Sequence, residues 1–238
     1  MRANRSQRGF DAGRRRDALR LFCLAVCTLA SFPGVLHADE ASDREYKVKA
    51  AFVYNFLKFI EGGRFTPAPE EKTDKLDPND VVVVGVMGVP PSRVAFDQFK
   101  GKQVANRPVV IRWFKGFEEL ADKDEEIPEQ HPDLDQIKKC HVLFICPSEK
   151  PFLPRILPPL QEGGILTVGD VPTFLEAGGT INLLVEDKKV RFEINLAAIT
   201  RAKLIVRSSL LRLAVRTIEH DRLEPRKDEE SSGGNGRP

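Results

Sequence analysis

The stretch VVVVGVMG, Val81 to Gly88, constrains the fold of this chain more than any other segment. It is rich in β-branched residues and has no polar alternation, which is typical of a central parallel strand buried on both faces. Such a strand needs helices above and below it. Further strands are predicted at RPVVIRWF (107–114), HVLFICP (141–147) and ILTVGD (165–170).

Helical segments alternate with these strands. Residues 45–61 predict an amphipathic helix with Lys47 and Lys49 on its solvated side, ended by Gly62-Gly63. Its apolar stripe is formed by Val48, Ala51, Phe52, Phe56, Phe59 and Ile60. Shorter helices are predicted over 90–99, 152–161, 172–177, 196–203 and 208–220. Alternation around Glu186-Asp187-Lys188 predicts a β-hairpin.

The expected fold class is therefore α/β, a single domain with a mostly parallel sheet, a C-terminal β-hairpin and helices on both faces. We expect this domain to span 39–221 and the tail 222–238 to be disordered. Ligands of such folds usually lie at the carboxyl ends of the strands. Those ends carry Gly88, Pro147-Ser148 and Gly169-Asp170.

The first 38 residues predict export from the cytoplasm. An Arg-rich head precedes an apolar segment over 19–32, and the small residue Ala38 marks the expected cleavage site of a secretory signal peptide. The apolar segment is too short for a membrane span, which needs about 20 residues. A lipobox around Cys27 and a twin-arginine signal at Arg15-Arg16 are alternatives, and ordinary export is favoured over both.

Removal of this leader changes the charge of the chain. The leader holds seven arginines and two aspartates, so the mature chain has 30 basic and 33 acidic residues and a net charge of −3. The apparent basicity therefore belongs to the leader, and the composition does not indicate a nucleic-acid partner.

Cys140 and Cys146 flank one apolar run. Six residues of strand cover roughly 20 Å, whereas a disulfide joins Cα atoms about 4.4–6.8 Å apart. We therefore favour two buried thiols that pack as small hydrophobic groups. A redox-sensitive or intermolecular disulfide is the alternative. A zinc site at Cys140-His141 is disfavoured, because adjacent strand residues point to opposite faces.

Catalytic signals are weak in this sequence. GVMGVPPS after the first strand lacks the Lys-Ser/Thr of a phosphate-binding loop, so a plain turn is favoured. His131, His141 and His220 are scattered, and there is no nucleophile elbow. We expect a protein that is not an enzyme and needs no cofactor or metal.

Two surfaces are predicted to contact a partner or ligand. In KKVRFEIN the polar residues Arg191, Glu193 and Asn195 alternate with apolar ones and predict a polar platform, to which we add Glu61. A solvated face with weak cross-strand ion pairs explains that alternation equally well. The second surface is the strand-end loop with Asp170, Phe174 and Leu175.

Several stretches together resemble one family. They are YKVKAAFVYNFLKFIE, CHVLFI, ILTVGD, GGTINLLVEDKKVRFEINLAAITRAKL and SSLLRLA. In order and spacing they are similar to the YfiR-like periplasmic regulators over 45–214. The chain departs from that pattern at Gly62-Gly63, where the family commonly has Trp-Pro, and at Lys203, where it has glycine.

The resemblance implies a periplasmic, non-enzymatic, often homodimeric protein. It implies binding to the periplasmic domain of an inner-membrane diguanylate cyclase, which is held inactive. Release, through an outer-membrane lipoprotein or redox stress, raises cyclic di-GMP and favours biofilm formation. Paired cysteines carry the redox control, so Cys140 and Cys146 are the redox candidates here. The alternative is a periplasmic small-molecule sensor that signals through a histidine kinase.

Overall fold

The computed structural model describes residues 36–65, 80–120 and 127–219. Most of the predicted signal peptide and the whole predicted tail, 222–238, lie outside the described residues. The chain divides into two units, Met1–Ser42 and Asp43–Pro238. In the first unit only the beginning of one helix is described, and all described strands belong to the second.

The strands have the following bounds: β1 (Ile60–Gly62), β2 (Val82–Met87), β3 (Gln103–Val104), β4 (Arg107–Phe114), β5 (Val142–Ile145), β6 (Leu166–Gly169), β7 (Ile181–Glu186), β8 (Lys189–Asn195), β9 (Leu204–Val206) and β10 (Arg216–Ile218). The α-helices are α1 (Leu36–Phe59), α2 (Phe117–Leu120), α3 (Leu134–Ile137), α4 (Leu153–Ile156), α5 (Leu196–Arg201) and α6 (Ser208–Leu211). The described 3₁₀ segments are Gly63–Phe65, Val94–Phe99, Pro147–Phe152 and Pro158–Leu160.

Eight strands form one sheet in the order β10-β8-β7-β6-β5-β2-β4-β3. The central pairs, from β4 to β7, are parallel, and β7 and β8 form an antiparallel hairpin. This confirms the predicted α/β class with its mostly parallel sheet and hairpin. β2 is buried at every position, as its unbroken apolar sequence predicts.

Each face of the sheet carries its own apolar core. Val82, Val84 and Val86 of β2 pack with α1, whereas Val83 and Met87 pack on the opposite face with α4 and the segments around it. This division follows from the alternation of side chains along a strand.

The helices on the second face are shorter than predicted. Instead of one helix over 152–161 there is a 3₁₀ segment, then the four-residue α4, then a second 3₁₀ segment. Five prolines lie in this stretch, at positions 147, 151, 154, 158 and 159. Since proline has no N–H and clashes with the preceding turn, a regular helix cannot continue through them. The predicted turn at 172–177 is present as hydrogen-bonded turns and not as a helix.

The C-terminal part differs most from prediction. The helix predicted over 208–220 is wrong: α6 ends at Leu211, and Arg216–Ile218 form the edge strand β10, parallel to β8. β9 also lies outside the predicted elements. It pairs antiparallel with β1, directly after α1, in a separate two-stranded sheet. Among the described helices none is both long and apolar enough to cross a membrane.

Candidate functional site

Asp170, a predicted contact residue, lies at the carboxyl end of β6 and is bound by two side chains of α1. Its carboxylate accepts hydrogen bonds from the Tyr46 hydroxyl at 2.5 Å and from the Lys49 ammonium at 2.7 Å. Lys49 also pairs with Glu45, and its side chain is only 4 % exposed. Burial and the adjacent Asp170 carboxylate raise the pKa of Tyr46 above its usual range, so the hydroxyl remains a donor.

The prediction that Lys49 lies on the solvated side of α1 is wrong, and so is the core position predicted for Val48. Lys49 is buried, whereas Val48 is 45 % exposed. The buried stripe of α1 consists of Tyr46, Lys49, Ala50, Val53, Phe56 and Leu57. The sequence does contain a signal for this buried face, because Tyr46 and Lys49 lie at helical spacing with Val53 and Phe56.

The prediction that Phe174 and Leu175 are open to a partner is also wrong. Both side chains are fully buried in the core on the second face of the sheet. The Phe174 ring fits between two glycines: a Cβ added at Gly169 or Gly179 would lie 2.3 or 2.1 Å from ring atoms. The absence of side chains at the two glycines therefore leaves the space that the Phe174 ring occupies.

The rest of this loop is tied down along its length. The Val171 N–H donates to the Asn182 side chain at 3.2 Å, and the Asn195 amide donates to the Leu175 carbonyl at 2.9 Å. Glu176 pairs with Arg216 at 3.1 Å. The loop is therefore fixed to β7, to β8 and to the edge strand β10.

Pro172 and Thr173, at the tip of the loop, are its exposed residues. Thr173 has φ +70°, in the left-handed region. For a β-branched residue this conformation is rare and costs about 1–2 kcal/mol. Its hydroxyl donates to the carbonyl of its own neighbour, Pro172.

Of the three β8 residues of the predicted polar platform, Arg191 is the exposed one. Glu193 pairs with Arg216 of β10 at 2.6 Å. Asn195 is fully buried, and its side-chain oxygen accepts the Ala198 N–H at 2.9 Å as the N-cap of α5. The sequence does not reveal the role of Glu193, because β10 is not evident from its pattern, whereas an asparagine directly before the helix predicted from 196 is a typical N-cap signal.

Glu61 is exposed, as predicted, and lies on β1. It forms an ion pair with Arg207 at 2.6 Å. Its cross-strand neighbour is Ile205, which is 60 % exposed. A charged pair and a large apolar side chain therefore lie together on the surface of the two-stranded sheet.

Cys140 and Cys146 are free thiols, and they are buried in the cores on opposite faces of the sheet. Burial raises the pKa of Cys140 to about 11, and burial and Glu149 raise that of Cys146. Both thiols are therefore protonated at neutral pH and are poor nucleophiles. These observations favour the structural role over the redox role.

Glu149, which the sequence does not single out, is a buried carboxylate after β5. It accepts the Phe117 N–H and the Ser148 hydroxyl, each at 2.9 Å. A Cβ at Gly88 or Gly116 would lie 2.5 or 2.0 Å from its carboxylate. Gly88, which follows β2, thus makes room for the Glu149 side chain. This agrees with the prediction of a plain turn at that position.

His141 is buried at the opposite end of the sheet. Its Nδ1 accepts the Val83 N–H at 3.1 Å, and its Nε2 lies 3.0 Å from Arg107. Burial and Arg107 lower the pKa of His141 to about 4, so the ring is neutral at neutral pH. This ring is therefore part of the structure at the amino ends of the strands.

The carboxylates of Asp170 and Glu149 at the carboxyl ends are thus each bound by groups of the fold itself. Tyr46 and Lys49 fill the space beside Asp170, where a ligand pocket was expected. Across 36–65, 80–120 and 127–219, no three His, Cys, Asp or Glu side chains are grouped to hold a metal ion. The arrangement is suited to stabilising the exposed surfaces around it.

Comparison with known proteins gives one family. A family model described as YfiR/HmsC-like matches residues 46–215. No match was found among curated proteins. The solved structures include a conserved domain protein from Vibrio cholerae O1 biovar El Tor, 12 % identical with a TM-score of 0.36, covering 59 % of this chain and 55 % of that one. They also include the ABC domain in complex with L-Trp from Streptococcus pneumonia, 11 % identical with a TM-score of 0.39, covering 59 % and 56 %. The chain thus spans just over half the length of each of these two proteins.

Proposed function

The chain belongs to the YfiR/HmsC-like family, and from this premise we propose that it binds and represses the periplasmic domain of an inner-membrane diguanylate cyclase. The family consists of periplasmic, non-catalytic regulators of diguanylate cyclase signalling. The family match over 46–215 is the observation that carries the proposal. The output would be a lower level of cyclic di-GMP and less biofilm.

Repression by binding requires that the regulator prefers the inactive form of the cyclase. A hundredfold preference corresponds to about 2.7 kcal/mol, which a few contacts can supply. The buried sheet and the hydrogen-bonded strand ends support this mechanism. A surface that is already ordered loses little conformational entropy when it binds a partner. Release by an outer-membrane lipoprotein and assembly as a homodimer belong to the same proposal.

Two of the predicted contact residues support the proposal by their exposure. Glu61 is presented beside Arg207 and the exposed Ile205, and Arg191 extends from the β7–β8 hairpin into solvent. We assign both residues to partner contacts. Glu193 and Asn195 are not assigned to that role, because the Glu193 side chain is only 14 % exposed and Asn195 is fully buried.

The test is co-production of the full-length chain with each full-length membrane diguanylate cyclase of its host that has a periplasmic domain. Cyclic di-GMP should fall with one of them. Glu61→Ala and Arg191→Ala should restore part of the cyclic di-GMP level, whereas Lys139→Ala, at another exposed residue, should not. If no cyclase responds to the wild-type chain, the proposed function is wrong.

The alternative, a small-molecule sensor that acts through a histidine kinase, has less support. Its expected pocket at the carboxyl ends is occupied at Asp170 by Tyr46 and Lys49. A ligand that raises the melting temperature of the purified chain, with no cyclase affected, would favour this alternative.

A further inference from the structure

The two edges of the eight-stranded sheet differ in whether their outward backbone groups are bound. At one edge, the Gln103 carbonyl of β3 accepts a hydrogen bond from the Tyr54 hydroxyl at 2.9 Å. At the other edge, no element in the described part of the chain pairs with the outer side of β10. The unpaired backbone groups of an edge strand are ready to pair with a strand of another chain. β10 is therefore the edge that can accept a further strand.

The pairing of β10 with β8 fixes which backbone groups of β10 point outward. The Val215 N–H, directly before β10, donates to the Phe192 carbonyl of β8 at 2.9 Å. Successive residues of a strand direct their backbone groups to opposite sides, so Thr217 also faces β8. The N–H and C=O groups of Arg216 and Ile218 therefore point away from the sheet. Each copy of the chain presents two donors and two acceptors there.

A second copy of this chain matches all four outward groups at once. When two β10 strands pair antiparallel about a two-fold axis, Arg216 of each copy lies opposite Ile218 of the other. Each of these two pairs exchanges both of its hydrogen bonds, as in the hydrogen-bonded pairs of any antiparallel ladder. Thr217 then lies on the axis opposite Thr217 of the other copy, with the two Cα atoms about 4.5 Å apart. The surface is thus complementary to itself, which is what a two-fold interface requires.

The side chains of β10 are compatible with this register. Arg216 lies opposite an isoleucine, and its charge is balanced within its own copy by Glu193 at 2.6 Å and Glu176 at 3.1 Å. No two like charges lie directly opposite each other, and facing threonines are a favourable cross-strand pair. The segment that leads into β10 also carries exposed apolar side chains, since Leu213 is 65 % and Val215 is 44 % exposed. Pairing would remove part of this apolar surface from water.

We propose that two copies of this chain dimerise through β10, so that their sheets join edge to edge across a two-fold axis at Thr217. The inference deepens the homodimer of the proposed function and rests on that function only for what the dimer does. Because a short strand of each copy forms the interface, the dimer should dissociate on dilution. Glu61 belongs to the separate two-stranded sheet and is not part of this interface.

Charge substitutions at Thr217 test both the interface and its register by sedimentation velocity of the full-length chain. Thr217→Lys and Thr217→Glu each place two like charges opposite each other on the axis, so each should weaken dimerisation about fivefold to tenfold. A mixture of the two variants places Lys opposite Glu and should restore the dimer. Gln103→Lys adds the same charge at an exposed residue of the other edge and should dimerise like the wild type.

A backbone substitution tests the hydrogen bonds directly. Ile218→Pro removes an N–H that points away from β8, so it deletes two of the four bonds of the dimer and leaves the pairing within each copy in place. Ile218→Ala is the matched control, because it also removes the side chain but keeps the N–H. Ile218→Pro should be monomeric at concentrations where Ile218→Ala is still dimeric, with similar urea midpoints for the two monomers. Equal dimerisation of the two variants would overturn the proposal.

These measurements need no cyclase, so they separate this proposal from the proposed function. A wild-type chain that stays monomeric up to its solubility would overturn the β10 dimer. A dimer that neither Thr217 variant weakens would overturn the β10 interface and leave the homodimer of the proposed function standing. A β10 dimer that behaves as expected, in a chain that represses no cyclase, would support this inference and overturn the proposed function.

Discussion

The two ends of the parallel sheet are held together by different interactions. At the carboxyl end, a charged pair is buried: Lys49 binds Asp170, which also accepts a hydrogen bond from the neutral Tyr46 hydroxyl. At the amino end, backbones approach closely: a Cβ at Gly63 would lie 2.8 Å from the Gly164 carbonyl oxygen. There the neutral His141 ring accepts a backbone N–H.

This difference separates two sources of rigidity. Buried ion pairs fix the loop at the carboxyl end but leave a large penalty if one partner is lost. Close backbone packing at the amino end depends on side-chain volume and, at His141, on pH. Perturbations at the two ends should therefore differ in size and in their response to solution conditions.

The largest effect is expected from Lys49→Met at the carboxyl end. The substitution leaves the Asp170 carboxylate buried without its cation, so we expect a loss of about 3–5 kcal/mol in the free energy of unfolding. Arg107→Met at the amino end should cost clearly less, because its partner Asp80 has a side chain that is 26 % exposed. Urea denaturation of both variants measures the comparison, and equal losses would contradict it.

The next effect is the pH dependence contributed by His141. Its pKa is lowered to about 4 by burial and by Arg107, with Arg64 acting in the same direction and Asp80 opposing them. Between pH 6.5 and 4 the unfolded chain binds more protons at this site than the folded chain, so stability decreases as the pH falls. The loss should approach about 3 kcal/mol. In His141→Gln, denaturant titrations across this range should show a flatter slope, and an unchanged slope would rule out His141 as the cause.

A smaller effect is expected from Gly63→Ala at the amino end. Gly63 has φ +49°, and the added methyl group would contact the backbone of Gly164. We expect a loss of about 2 kcal/mol from strain and crowding together. Gly101→Ala is the matched control, since Gly101 has φ +71° but open space around its Cα, and it should cost about 1 kcal/mol. Equal midpoints in urea would show that crowding at Gly63 is unimportant.

The smallest effect is a gain of stability from Lys203→Gly. Lys203 follows α5 with φ +55°, a position where helices commonly end with glycine. Relief of the left-handed strain should outweigh the greater freedom of glycine in the unfolded chain and stabilise the protein by about 0.5–1 kcal/mol. A rise in the thermal midpoint would check this, and a lower midpoint would indicate that the lysine side chain makes a stabilising contact.

The candidate surfaces were predictable only in part. Glu61 and Arg191 are exposed as predicted, because local alternation and a helix end suffice to place them. Phe174 and Leu175 are buried, because glycines on both sides of the loop make space for the ring. Glu193 is bound by Arg216 of β10, whose position depends on contacts made elsewhere in the chain, whereas Asn195 directly precedes the helix predicted from 196 and caps it.

The sequence by itself determined the buried strands, the hairpin and the α/β class, because these depend on hydrophobic patterns within a few residues. Only the tertiary structure decided that Lys49 lies on the buried face of α1, since a buried lysine needs an opposite charge and Asp170, 121 residues away, supplies it. The same holds for β10: residues 216–218 have no strong local preference, and their pairing with β8 makes them a strand. Long-range pairing determines the conformation of a segment wherever the local free-energy differences between helix, strand and loop are small.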